Sequence, residues 1–224
     1  MNRRMTGMAL AAVLAPMMVL TAQTKPATKS RVRKAPATKA AAPVPMRFIL
    51  GATGNEVRYR VRELLAAATI ENDAVGATSA VTGGLVIDAT GTVDTAASKW
   101  VVDLTTLKSD RSMRDRFIQG RSLETAQFPK AELVVIAITG LPKTLPDSGT
   151  LKLTLLGNFT AHGVTKQLSW EVVATVAGEQ ITGTATTHFT FGDFNMTQPR
   201  VPIVASVVDD IKIEYDFHLI REHQ

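Results

Sequence analysis

The chain has 224 residues, is 45% hydrophobic, and carries 25 Lys and Arg against 20 Asp and Glu, a formal net charge of +5. It contains no cysteine, which excludes disulfide staples, a thiolate nucleophile and lipid attachment through cysteine. Residues 1–45 hold eight of the basic residues and no acid, so the remainder has 17 basic residues against all 20 acids and is about −3. The high charge belongs to an N-terminal extension and implies no nucleic-acid-binding face on the remaining residues.

The opening MNRRMTGMALAAVLAPMMVLTA places Arg3 and Arg4 before an apolar run from Met8 to Leu20 and then small residues. This predicts a secretory signal peptide over residues 1–22, cleaved after Ala22. The apolar run is interrupted by Pro16 and is shorter than the roughly 20 residues that span a bilayer, so an uncleaved anchor is the lesser alternative. Residues 23–45, QTKPATKSRVRKAPATKAAAPVP, lack acids and apolar periodicity and read as a disordered basic linker. Such a linker either touches an anionic envelope surface, at about 1 kcal/mol per basic residue near the membrane, or serves as a solubilising spacer. The expected location is the periplasm or outside the cell. Residues 46–224 are long enough to bury one core without disulfides and form one domain.

From Met46 onward, short runs alternate apolar and polar residues and are separated by Gly, Asn, Asp and Pro, the signature of strands. In EVRYRVRE, Val57, Tyr59 and Val61 face one way and Arg58, Arg60 and Arg62 the other. Further strands are predicted at Gly84–Asp88, Lys99–Leu104, Ala131–Ile138, Thr150–Ala161, Gln167–Val176 and Gln180–Phe191. In one more predicted strand, DDIKIEYDFHLI (residues 209–220), Ile211, Ile213, Tyr215, Phe217 and Leu219 share a face. About eight antiparallel strands close as a barrel or stack as a sandwich.

SDRSMRDRFIQG, residues 109–120, departs from this period and predicts one short helix, capped by Ser109 and Gly120, with Met113 and Phe117 on one face. The apolar stripe is placed to plug one end of a barrel. Arg114 and Asp115 look like a charged catalytic pair, but no nucleophile accompanies them, and a solvated, salt-bridged helix surface is the stronger reading.

Three blocks in order carry a family resemblance. They are SMRDRF with LETAQFPKAEL (residues 123–133), LLGNFTAHGVTKQLSWEV (residues 155–172), and FGDFNM (residues 191–196). Together they resemble the YceI-like family of exported proteins, over essentially residues 46–222. The resemblance implies an all-β fold: an eight-stranded antiparallel lipocalin-like barrel whose apolar interior holds an isoprenoid or similar lipidic molecule. A barrel of that size is either filled by its own side chains or holds one slender ligand. Two departures bear on the ligand: Glu63-Leu64-Leu65 stands where members show a His-Leu-Gly-like element, and Thr78 stands where an aromatic is common. The loop GATSAVTGG, residues 76–84, is accordingly expected to be small and polar.

His162 falls in phase with Asn158 and Thr160, opposite Phe159 and Ala161, so it is expected to point out of the barrel at a turn made by Gly163, in a structural role. The four histidines lack metal-ligand spacing and are expected to be exposed. Neither a Gly-Lys-Ser/Thr phosphate loop nor a G-x-S-x-G elbow occurs. Asn158-Phe159-Thr160 is an accidental glycosylation match on a strand. The sequence predicts no enzyme, no cofactor and no metal, and leaves the oligomeric state open.

A ligand is expected on the apolar phases: Val57, Tyr59 and Val61; Leu85 and Ile87; Val102 and Leu104; Phe159, Trp170, Phe189 and Phe191. Trp100, Leu168 and Val172 lie on the same phases, and each residue of this set is either a ligand contact or simply core, because a barrel interior serves both purposes. Phe117 and Phe128, beside the helix, are expected to close the end, and Tyr59 and Trp170 to offer polar handles to a head group. Two readings result: an exported lipid-binding carrier, or an exported stress or interaction module whose barrel is filled by its own side chains.

Overall fold

A computed structural model describes residues 45–222; the expected signal peptide, residues 1–22, and all of the expected linker but Pro45 lie outside the described residues. Eleven strands succeed one another: β1 (Met46–Leu50), β2 (Glu56–Leu65), β3 (Asn72–Thr78), β4 (Val81–Ile87), β5 (Lys99–Asp103), β6 (Lys108–Ser109), β7 (Lys130–Thr139), β8 (Ser148–Ala161), β9 (Val164–Ala177), β10 (Gln180–Phe189) and β11 (Val204–Glu222). A short helix, α1 (Ser112–Phe117), sits between β6 and β7.

These strands make a closed antiparallel barrel of eight staves, because three staves are each broken in two. β1 and β2 both lie along β11, β1 at its end (Leu50 opposite Leu219) and β2 at its start and middle (Val61 opposite Ile211). β4 pairs with β1 and β3 with β2, and β5 and β6 pair in turn with β4 and β3. β5 continues to β7, and β8, β9 and β10 lead back to β11. Closure leaves each central ladder paired on both sides.

Side chains replace the ladder at the breaks. Between β1 and β2, Asn55 donates through Nδ2 to the carbonyl of Gly51 and accepts the amide of His218 at 3.0 Å. Between β3 and β4, Thr78 Oγ1 accepts the amide of Ala80 and bonds Thr106 Oγ1, tying this break to the single helical turn Leu104–Thr106 that interrupts the next stave.

The period-two phases hold. Along β9, Trp170, Val172, Ala174 and Val176 are buried and the residues between them exposed. Along β2, Val57, Tyr59 and Val61 turn inward. Arg58 and Arg60 turn outward into a cross-strand ladder with Asp216 (2.6 Å), Asp73 (3.1 Å) and Glu214 (3.4 Å). Partly exposed pairs of this kind contribute modestly and chiefly fix register.

The segment expected to be a small polar loop, residues 76–84, is instead most of a broken stave, the end of β3 and the start of β4. Its glycines and threonines hide the alternation, and Gly76 is required because the Tyr59 ring lies where a Cβ would project. The predicted helix is shorter than expected and differently capped. It starts after Arg111, not Ser109, and continues past Gly120 as a wider turn through Ser122. Ser109 donates both its amide and its hydroxyl to Asp115, so it holds the helix from the side instead of capping it.

By strand register, Phe48, Leu85, Ile87, Val176, Ile181 and Leu219 belong to the end of the barrel where β1 begins and β11 finishes, and all are buried. Ile87 is 1% exposed, so Ile87→Ala is expected to lower the unfolding free energy by about 2–5 kcal/mol, read from denaturant unfolding.

Candidate functional site

The barrel is filled at one end and open at the other. A cavity of about 880 Å³ occupies the half towards the starts of β9 and β11. Its innermost wall is set by Trp100, Leu133, Trp170 and Tyr215, with the Trp100 and Tyr215 rings 6.2 Å apart, edge to face. Tyr215 packs in turn on Phe217, which belongs to the filled end.

Val57, Tyr59, Val61, Val102, Leu104, Phe117, Phe159, Trp170, Phe189 and Phe191, ten of the residues singled out from sequence, line this cavity. Three do not. Leu85 and Ile87 have the right phase but lie too far along β4, in the packed end. Phe128 lies outside the cavity lining, with its ring 4.7 Å from that of His162 and against Gly163. Sequence reasoning missed the segment Met196–Val204 that forms much of the rim, because Pro199 and Pro202 erase any period there; its apolar Val201 and Ile203 were the available signal.

The lining is mostly hydrocarbon. The indole N–H groups of Trp100 and Trp170 are buried there without a hydrogen-bond partner among the described residues. Burial pushes the Tyr59 hydroxyl above its ordinary value, and it stays neutral. The charged exceptions gather where α1 meets β2. Glu63, next in phase after Val61, meets Arg114 at 2.6 Å with side-chain exposures of 7% and 11%. Arg114 also contacts Asp110. The expected solvated helix surface is therefore a mostly buried ion pair that fixes α1 to the wall of β2.

The rim is held by the turn His162–Gly163 between β8 and β9. Both residues have positive φ, 47° and 73°, which lets two residues reverse the chain with the twist of the strands. His162 lies outside the cavity lining, but it is not exposed, because the segments that carry Glu124, Phe128 and Phe194 cover it. Its side chain is 11% exposed; Nδ1 donates to the carbonyl of Phe194 at 3.0 Å, and Nε2 faces the Glu124 carboxylate at 3.0 Å. Four residues on, Lys166 meets Asp193 at 2.6 Å and, with hydrogen bonds from Thr190, holds that carboxyl well below the usual range. Phe194 is fully buried against Phe159 and Phe189. Of the other histidines, His223 lies outside the described residues, His188 is exposed beside Asp210, and His218 is half-buried over Gly51 and bonds the carbonyl of Thr53.

A family model for the YceI-like domain matches residues 50–219. The chain belongs to the YceI-like family. A UPF0312 protein of Shewanella sp. (strain ANA-3) is 32% identical over 127 residues, 53% of this chain and 63% of that protein. The match therefore spans less than two thirds of that relative's length. Among solved structures, the YceI-like barrel is similar to a polyisoprenoid binding domain from Saccharophagus degradans implicated in plant cell wall breakdown (TM-score 0.62, 12% identity, 78% of this chain and 98% of that one). It is similar also to BcnA of Burkholderia cenocepacia (TM-score 0.52, 17% identity, 74% and 95%) and to a YceI protein of Campylobacter jejuni (TM-score 0.52, 14% identity, 66% and 85%). At these identities the likeness is one of fold.

Removing one partner of the Glu63–Arg114 pair strands a buried charge. Arg114→Met is expected to destabilise by about 3–5 kcal/mol, and the double variant Glu63→Leu/Arg114→Met to recover most of it, measured in a double-mutant cycle of denaturant unfolding.

Proposed function

We propose that this protein is an exported carrier that holds one isoprenoid or similar lipidic chain in the open half of the barrel. The observation that carries the reading is the cavity of about 880 Å³, deep, apolar and opening at one end. At about 30 Å³ for a group the size of a water molecule, it takes on the order of 30 such groups, or about six prenyl units. Each buried methylene-sized group stabilises by about 0.8 kcal/mol, enough in sum to offset an association cost of roughly 4–15 kcal/mol. The polyisoprenoid binding described for the Saccharophagus degradans domain, which shares the fold, supports the same ligand class. The open half weighs against the alternative of a barrel filled throughout by its own side chains. Among the described residues, the lining is mostly hydrocarbon with the unpartnered Tyr59 hydroxyl and two unpartnered indole N–H donors, its charged side chains Glu63, Asp110, Arg111 and Arg114 are engaged with one another, and it holds no nucleophile paired with a base, which supports binding over catalysis.

Export rests on the signal-like residues 1–22, and weak attachment of the basic residues 23–45 to an anionic surface remains part of the proposal. The mature chain is expected to begin near Gln23 in an envelope fraction; N-terminal sequencing that returns intact Met1 from the cytosol would refute export.

Ala131 is buried on the cavity wall, so Ala131→Phe projects a ring into open space. The variant is expected to keep its melting temperature and lose the isoprenoid-induced rise in melting temperature and the change in indole fluorescence that the wild type shows. Ile87→Ala, less stable but remote from the cavity, should retain both. No response of the wild type across several prenyl chain lengths would defeat the carrier reading.

A further inference from the structure

The two ends of the barrel differ in chemistry as well as in packing. At the filled end, the connections 88–98, 140–147 and 178–179 contain Asp88, Asp94, Asp147 and Glu179 against one basic residue, Lys143. Met46, where the preceding chain joins, is at this end as well, opposite Ile87. At the open end, the connections 66–71, 110–129 and 190–203 contain five arginines and five acids, but every acid is already engaged: Glu71 by Arg62, Asp110 by Arg114, Asp115 by Ser109, Glu124 by His162 and Asp193 by Lys166. A domain of net negative charge therefore has its filled end acidic and leaves unpaired arginines around its opening.

The arginines are available. Arg114 is consumed by Glu63, and Arg111 has only a 3.7 Å contact with Asp110. Arg116, Arg121 and Arg200 are exposed and make no ion pair among the described residues. Arg121 and Arg200 border one shallow cleft beside Phe117, just outside the main cavity.

Apolar side chains stand among them. Ile70, Met113 and Ile203 are 78%, 62% and 50% exposed, three of the five large hydrophobic residues so exposed among the described residues. Met113 and Ile203 border the cavity itself. Ile70 lies on the β2–β3 connection, whose base is fixed to the rim by the amide of Ala66 donating to the carbonyl of Ile203 at 3.0 Å. Water-exposed hydrocarbon interleaved with unpaired guanidinium groups suits the headgroup boundary of a bilayer, where the first is buried and the second binds phosphate oxygens.

We propose that the open end of the barrel is a membrane-docking face that seats on an anionic bilayer, with Ile70, Met113 and Ile203 entering the headgroup region and Arg111, Arg116, Arg121 and Arg200 on lipid phosphates. The proposal deepens the carrier reading, on which it rests for its purpose: a docked mouth lets a hydrocarbon chain pass between bilayer and cavity without crossing water.

The absence of cysteine makes the test direct, because a single introduced thiol is labelled uniquely. Ile70→Cys at the mouth and Thr144→Cys at the filled end, each carrying an environment-sensitive dye, are mixed with isoprenoid-free vesicles of phosphatidylcholine and phosphatidylglycerol. The label at position 70 is expected to brighten and that at position 144 to stay unchanged. At about 1 kcal/mol for each basic residue, Arg116→Glu/Arg121→Glu/Arg200→Glu should weaken vesicle binding by about a hundredfold or more at low salt. These three residues do not line the cavity, so isoprenoid uptake from solution should be unaltered. A response at position 144 alone, no vesicle binding, or undiminished binding of the triple variant would each overturn the docking face. Failure of isoprenoid uptake with normal vesicle binding would instead count against the carrier reading and leave the docking face standing.

Discussion

The turn at His162–Gly163 is the constraint on which the open end depends. Leaving one end of a barrel empty removes the side-chain packing that would otherwise fix the strand ends, and something else must hold them. Here a two-residue reversal in the left-handed region presents one imidazole to three neighbours: the Phe194 carbonyl, the Glu124 carboxylate and the Phe128 ring. Lys166 and Asp193 add a second tie between the same segments, and Phe194 is driven into the wall between Phe159 and Phe189. The rim is thus stabilised by polar contacts on its outside and by one buried aromatic, which leaves the centre free.

The same turn is where the three sequence blocks meet. The helix with its downstream LETAQFP, the hairpin, and the FGDFNM element are separated in the chain and adjacent in space: the first supplies Glu124 and Phe128, and the last Phe194 and Asp193, to His162 and Lys166 of the hairpin. Their order is readable in the sequence, but the contacts between them are not, because strand phase predicts direction within a strand and says nothing about a residue in the turn.

Much of the barrel is legible for a simple reason: two-sided strands write their burial in alternation, as EVRYRVRE and QLSWEVV do. Where the wall is made of glycine, alanine and threonine, as in residues 72–84, that record is faint, and β3 escapes sequence reasoning. Phase also fixes only whether a residue faces inward, and not how far along the axis it lies. That is why Leu85 and Ile87 group with Val57 and Phe159 in the sequence, although one pair packs the filled end and the other lines the cavity. The role of Arg114 is hidden for a related reason: its partner Glu63 lies on another element, and sequence spacing gives no sign that the two will meet.

The 19-residue β11 pairs with β10 on one side and with both halves of the first stave on the other. The first and last strands of the domain are therefore neighbours, and the ring has no seam that closes from local contacts alone. Hairpins such as β8–β9 form as soon as their residues are available, but β1 and β2 must wait for a partner more than a hundred residues later. Closure is the event with the greatest loop entropy to overcome, so it should come late and set the folding rate. Until then β2 and β10 are open edges, and a nascent or newly released chain stays pliable up to the moment its last strand arrives.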